Sequence, residues 1–101
     1  MSEKNASATI NQDYTKDCVY PQINPIATGK NLKRLRLSCN LTQDKVASYF
    51  PEKGVTPSAI SQWEHGKNMP NMDRFIILGY IYGNCALDEL IVLKYPKKEA
   101  S

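Results

Sequence analysis

Ser58, Ser61, Gln62 and His65 are spaced so that, at about 100° per residue, they share one side of a helix, while Ala59, Ile60 and Trp63 fall on the other. Their chemistry is hydrogen bonding: two small hydroxyls, an amide with both a donor and an acceptor, and an imidazole. A face kept only for hydration is usually rich in Glu and Lys, which form helices well. Side chains this short let a helix backbone approach a major groove, and glutamine can bond bidentately to an adenine edge. A plain hydrated face fits the same four residues, so spacing alone leaves both readings open.

Other chemistry finds less support. Cys18, Cys39 and Cys85 are odd in number and widely spaced, without a C-x-x-C pair, and His65 is the single histidine. Neither a disulfide framework nor a four-ligand zinc site is expected, and the cysteines read as small apolar residues in a reducing compartment. Trp63, opposite Ser61 and Gln62, reads as core. Tyr80, Tyr82 and Tyr95 lack the interleaved basic residues of a stacking platform and read as packing or subunit contacts. A pH-sensing role for His65 is the lesser alternative to hydrogen bonding. No Gly-rich phosphate loop, His/Cys cluster or carboxylate pair with cleft-forming periodicity occurs, so the expectation is a non-enzyme with no cofactor and no metal.

The chain has 101 residues, enough for one domain. Residues 28–70 hold seven basic side chains (Lys30, Lys33, Arg34, Arg36, Lys45, Lys53, Lys67) against Asp44, Glu52 and Glu64, a surplus of +4 where the whole chain carries +3. A surplus confined to one segment suggests a polyanion partner there. The polar N-terminus does not read as a secretory signal, and the apolar stretch 75–93 is broken by Gly79, Gly83, Asn84, Asp88 and Glu89, so no membrane insertion is expected and the cytoplasm is the expected location.

The elements that would position the four residues follow from period and caps. Residues 1–25 are polar with unperiodic apolar residues and read as a flexible arm. Leu32, Leu35 and Cys39 mark a first helix capped by Thr28 and ending near Asn40. Thr42 caps a second, to about Phe50, with Val46, Ala47 and Phe50 inward. Thr56-Pro57 opens a third, closed at His65-Gly66. Asn71 caps a fourth with Met72, Phe75, Ile76, Gly79 and Tyr82 inward, and a fifth covers about 87–93. Five short helices joined by tight links predict an all-α domain at 26–95, followed by a tail at 96–101.

On these residues the chain resembles the phage-repressor and Cro-type helix-turn-helix family, the XRE-like, lambda-repressor-like regulators. The strings that carry the resemblance are Asn31-Leu32-Lys33-Arg34-Leu35-Arg36, Leu41-Thr42-Gln43-Asp44-Lys45-Val46-Ala47, Ile60-Ser61-Gln62-Trp63-Glu64-His65-Gly66-Lys67, Met69-Pro70 and Leu87-Asp88-Glu89-Leu90, in that order. The leader Pro21 to Gly29 is further similar to a subgroup of Gram-positive bacterial regulators. The resemblance implies a double-stranded DNA partner, transcription regulation read here as repression, and the helix at 57–65 in the major groove. It implies base reading by Ser58, Ser61, Gln62 and His65, with Thr42, Gln43, Lys45, Lys53, Lys67 and Asn68 toward phosphates. It also implies a structural pair, Arg36 with Glu64, and a Gln43 that braces the recognition helix.

Departures from the family pattern carry their own expectations. The link between the second and third helices is about three residues longer, at Pro51 to Lys53. Pro57 stands where many relatives place a base-reading glutamine, and no arginine lies on the reading face, which favours A·T-containing half-sites. Gly83-Asn84-Cys85-Ala86 is one residue longer than usual and lacks a serine cap. The apolar run Leu90-Ile91-Val92-Leu93 with Tyr95 suggests a homodimer face, unless the arm covers it in the same chain. The alternative function is an antitoxin-like interaction module whose arm folds on a protein partner.

Overall fold

The computed structural model describes residues 13–15, 19–51 and 53–96. Five helices carry the fold: α1 (Pro25–Ser38), α2 (Gln43–Ser48), α3 (Pro57–Glu64), α4 (Met72–Ile81) and α5 (Leu87–Leu90). The expected five-helix architecture holds, and a small sheet of β1 (Asp13–Thr15), β2 (Gln22–Ile23) and β3 (Leu93–Pro96) is added to it. β3 is central, parallel to β1 and antiparallel to β2, with Tyr14 opposite Tyr95 and Ile23 opposite Leu93.

The expected arm therefore has strand at 13–15 and 22–23 and helix from Pro25; its remaining residues before Val19 lie outside those described, as do Cys18, Glu52 and the tail beyond Pro96. α1 begins three residues before the expected Thr28 cap. Asn24 is the cap, its side-chain oxygen accepting from the Ala27 amide at 3.1 Å, and Pro25 occupies the first helical position, where a missing N–H costs nothing. Thr28 is instead fully buried: its hydroxyl donates to the Val92 carbonyl at 3.1 Å and accepts from the Val92 amide at 2.9 Å.

That tie also shortens the fifth helix. The chain turns extended at Ile91 (φ −96°, ψ 127°), so the expected helical continuation becomes extended chain held at Val92 to Asn24 and Thr28, and enters β3 at Leu93. With no serine cap, the α5 terminus is closed from Glu89, whose carboxylate accepts from the Ala86 amide at 3.2 Å. Leu90 and Val92 are buried within the chain, which absorbs much of the apolar excess behind the homodimer expectation.

The core gathers Leu32, Val46, Phe50, Val55, Ile60, Trp63, Phe75, Leu78, Tyr82 and Leu90. α4 turns Phe75, Gly79 and Tyr82 inward as expected, but Met72 and Ile76 are exposed and Leu78 is buried instead. Gly79 fixes this face, since a Cβ there would stand 2.5 Å from the Cys85 carbonyl oxygen, so only the glycine edge of α4 can face the α4–α5 link. Burial pushes the half-buried Cys85 thiol up in pKa, favouring the protonated form that donates to the Tyr82 carbonyl at 3.3 Å.

Candidate nucleic-acid interface

α3 is defined at both ends by its own sequence. The Thr56 hydroxyl accepts from the Ala59 amide at 3.1 Å, Pro57 follows at the first helical position, and Gly66 leaves the helix with φ +74°. Ile60, Trp63 and Glu64 are buried; Ser58, Gln62 and His65 are exposed and Ser61 is half-buried. Trp63 meets Phe50 edge-to-face, ring centroids 5.9 Å apart, which ties α3 to the end of α2. The lengthened link is pinned at its ends by buried Phe50 and Val55, while Lys53 between them is exposed.

Two features fix the C-terminal end of α3. A Cβ at Gly29 would lie 2.5 Å from the Glu64 carbonyl oxygen and 2.6 Å from that of Trp63, so α1 crosses α3 at backbone contact. Beside this crossing Arg36 grips the Glu64 carboxylate through Nε at 2.6 Å and Nη2 at 3.1 Å, while Nη1 donates to the Leu41 carbonyl at 2.9 Å. Both side chains are nearly inaccessible (9% and 3%), and the bond to Glu64 raises the Arg36 pKa, so the guanidinium stays charged. Gln43 Nε2 donates to Glu64 Oε1 at 3.0 Å, so the first residue of α2 and the end of α3 hang on one carboxylate.

The expected site residues fall into two groups. Ser58, Ser61 and Gln62 run along one side of α3 and His65 caps it on that side; the seven steps from Ser58 to His65 at about 1.5 Å each make about 10 Å, the rise of roughly three base pairs. Thr42, Lys45, Lys53, Lys67 and Asn68 are all exposed around it, with Gln43 half-buried between Thr42 and Glu64. Thr42 already accepts from the Lys45 amide at 3.1 Å as the α2 cap, and the Lys45 ammonium lies 5.7 Å from the Tyr49 ring centroid.

Internal bonds orient His65 and Gln62, two of the side chains expected to read bases. His65 Nδ1 lies 2.8 Å from the Ser61 carbonyl oxygen. A carbonyl only accepts, so Nδ1 carries the proton and Nε2 of the neutral ring is left as an acceptor. Past Gly66 the chain folds back: the Lys67 amide donates to the Gln62 carbonyl at 2.9 Å, and Asn68 Nδ2 donates to Gln62 Oε1 at 2.6 Å. Sequence reading placed Asn68 among the phosphate contacts and missed this bond; its signal was Gly66, which reverses the chain toward the helix it has just left.

Comparison with known proteins agrees with this geometry. A helix-turn-helix family model matches residues 32–90, more than half of the chain. Over 63 residues the chain is 35% identical to the HTH-type transcriptional activator BcrR of Enterococcus faecalis, an alignment covering 62% of this chain and 29% of that protein. No solved structure matches significantly.

Proposed function

Because the chain belongs to the helix-turn-helix family of DNA-binding transcription regulators, we propose that it is a sequence-specific regulator that lays α3 in the major groove of double-stranded DNA. The observation that carries the reading is the division of α3 into a buried side, Ile60, Trp63 and Glu64, and an exposed polar side, Ser58, Gln62 and His65, on a helix locked to α1 and α2 through Glu64.

In this reading Ser58, Ser61, Gln62 and His65 address base edges. Thr42, Gln43, Lys45, Lys53, Lys67 and Asn68 stand toward the flanking phosphates, where cations and amides set register without reading sequence. Half-sites contain A·T pairs, since no arginine on the reading face offers guanine its strongest contact. The role is non-catalytic and belongs in the cytoplasm, where bacterial DNA lies. A homodimer would set two such helices about one DNA turn, roughly 34 Å, apart; the half-buried Leu87, Ile91 and Leu93 offer one apolar surface for it. BcrR is named an activator, so repression, the sign read from the sequence, draws no support from that relative.

Selection from random duplexes, followed by salt titration of the enriched site and a scrambled control, tests the proposal. A motif bound at least about a thousandfold more tightly than the control, weakening as salt rises, is expected. Failure to enrich any motif would reject it in favour of the antitoxin-like, partner-binding alternative.

A further inference from the structure

Of the exposed side chains around α3, those of Gln62, on the helix, and Asn68, beyond its end, are bonded to each other. A free glutamine amide is ambivalent: it turns over and offers either its oxygen or its nitrogen to a base, and it is among the side chains that lose most rotamer freedom when fixed. Here Oε1 is engaged by Asn68, and Asn68 is itself held by the turn after α3, where the Lys67 amide meets the Gln62 carbonyl and Gly66 takes its left-handed conformation.

We infer that Asn68 is a positioning residue for DNA reading: by holding Gln62 Oε1 it presents Gln62 Nε2 to the groove as a donor, so that specificity at one base pair depends on a side chain that does not touch it. The inference rests on the major-groove reading above. A donor at that point fits acceptors, O4 of thymine or N7 of adenine in an A·T pair and N7 or O6 of guanine, and is mismatched to the exocyclic amines of cytosine N4 and adenine N6. Gln62 and His65 then bring opposite polarities, a donor and, in the neutral ring, an acceptor, one turn apart on the same face.

The test uses the full chain and the duplex enriched by selection, together with the three base-pair replacements at each position of its half-site. Gln62→Ala first locates the base pair that Gln62 reads, as the position where preference flattens. Asn68→Ala is expected to flatten preference at that same position by about tenfold and leave the preferences elsewhere unchanged. Asn68→Asp offers only an acceptor, so Gln62 must turn and donate to it, exposing Oε1. Preference at that position should then shift toward a base presenting an amine, and because the added charge weakens all duplexes alike, the ratio between duplexes isolates the shift.

Uniform loss across all duplexes in Asn68→Ala, with the preference profile intact, would overturn the inference and leave Asn68 with a phosphate contact alone. So would a Gln62→Ala variant whose profile matches wild type. Wild-type protein with no preference at any position would instead defeat the regulator reading itself, which keeps the two failures apart.

Discussion

Replacing Arg36 by methionine would leave the Glu64 carboxylate, 3% accessible, with Gln43 as its remaining side-chain partner. Removing one member of a buried ion pair costs about 3–5 kcal/mol, since the survivor keeps its desolvation penalty without its attraction. Three bonds from the guanidinium, at 2.6, 3.1 and 2.9 Å, are lost at once, and the Leu41 carbonyl loses its donor too, so the cost should reach at least about 3 kcal/mol. A small domain has roughly 5–15 kcal/mol in total and loses about 4–8 °C in Tm per kcal/mol, so Arg36→Met should melt roughly 12–24 °C lower. The double variant Arg36→Met/Glu64→Leu removes both charges and should recover to within about 1 kcal/mol of wild type. Urea denaturation of the wild type, both single variants and the double variant gives the full cycle. A loss below about 1 kcal/mol in the singles, or a double no better than the worse single, would refute the reasoning. The recovered double variant should still bind DNA more weakly than wild type, because Gln43 has lost the carboxylate that holds it against α3.

Three further outcomes follow from single positions. Thr28→Val should cost about 1–3 kcal/mol in urea denaturation, because the Val92 amide loses its acceptor, while the Val92 carbonyl keeps the Asn24 amide at 2.8 Å; an unchanged midpoint would show that Val92 finds another partner. Gly29→Ala, which in an open helix stabilises by up to about 1 kcal/mol, should here destabilise by about 1–3 kcal/mol and weaken DNA binding, since the new Cβ would displace the carbonyls at the end of α3; a higher Tm would contradict the close crossing. Burial, with the Glu64 charge adding to it, raises the Tyr82 pKa above its ordinary 10.0, so the unfolded state ionises first. Stability from this group is fully present below about pH 10 and falls as pH rises toward the folded value, by up to about 1.4 kcal/mol per pH unit. Urea midpoints at about pH 8 and about pH 11 should therefore fall less in Tyr82→Phe than in wild type, and equal falls would place the alkaline loss elsewhere.

Much of this fold is written in local signals. Thr42, Thr56-Pro57 and Asn71 announce helix starts by chemistry that acts within three residues, and all three serve as caps. The division of α3 was equally legible, since a period of 3.6 residues is a property of the helix alone. What escaped was set by distant contacts. The start of α1 was read at Thr28 although Asn24-Pro25 is the same cap-and-proline pair as Thr56-Pro57; nothing local says that Thr28 must serve Val92, 64 residues away. On α4 the inward Phe75, Gly79 and Tyr82 were legible, but Met72 and Ile76 were not separable from Leu78 because apolar residues run nearly all round, and the close approach of Gly79 to Cys85 decides among them. The helix was expected to continue past Leu90 to Leu93 because that apolar run has no period of its own, and only pairing with β2 and β1 makes Leu93–Pro96 strand. At the candidate interface the residue types were visible, but which atom each would offer was not, because that depends on bonds made through the Gly66 turn.

The central claim, that the exposed side of α3 reads bases while the residues around it hold phosphates, is tested most directly by the ratio of affinities for the selected site and a scrambled duplex, measured for wild type and for Ser61→Ala/Gln62→Ala. Both replaced side chains lie off the core, so the variant should fold as wild type does. The prediction is that the ratio collapses by about tenfold or more while affinity for the scrambled duplex stays the same. A ratio that stays at its wild-type value, whether or not both affinities fall together, would contradict the assignment of α3 as the reading element.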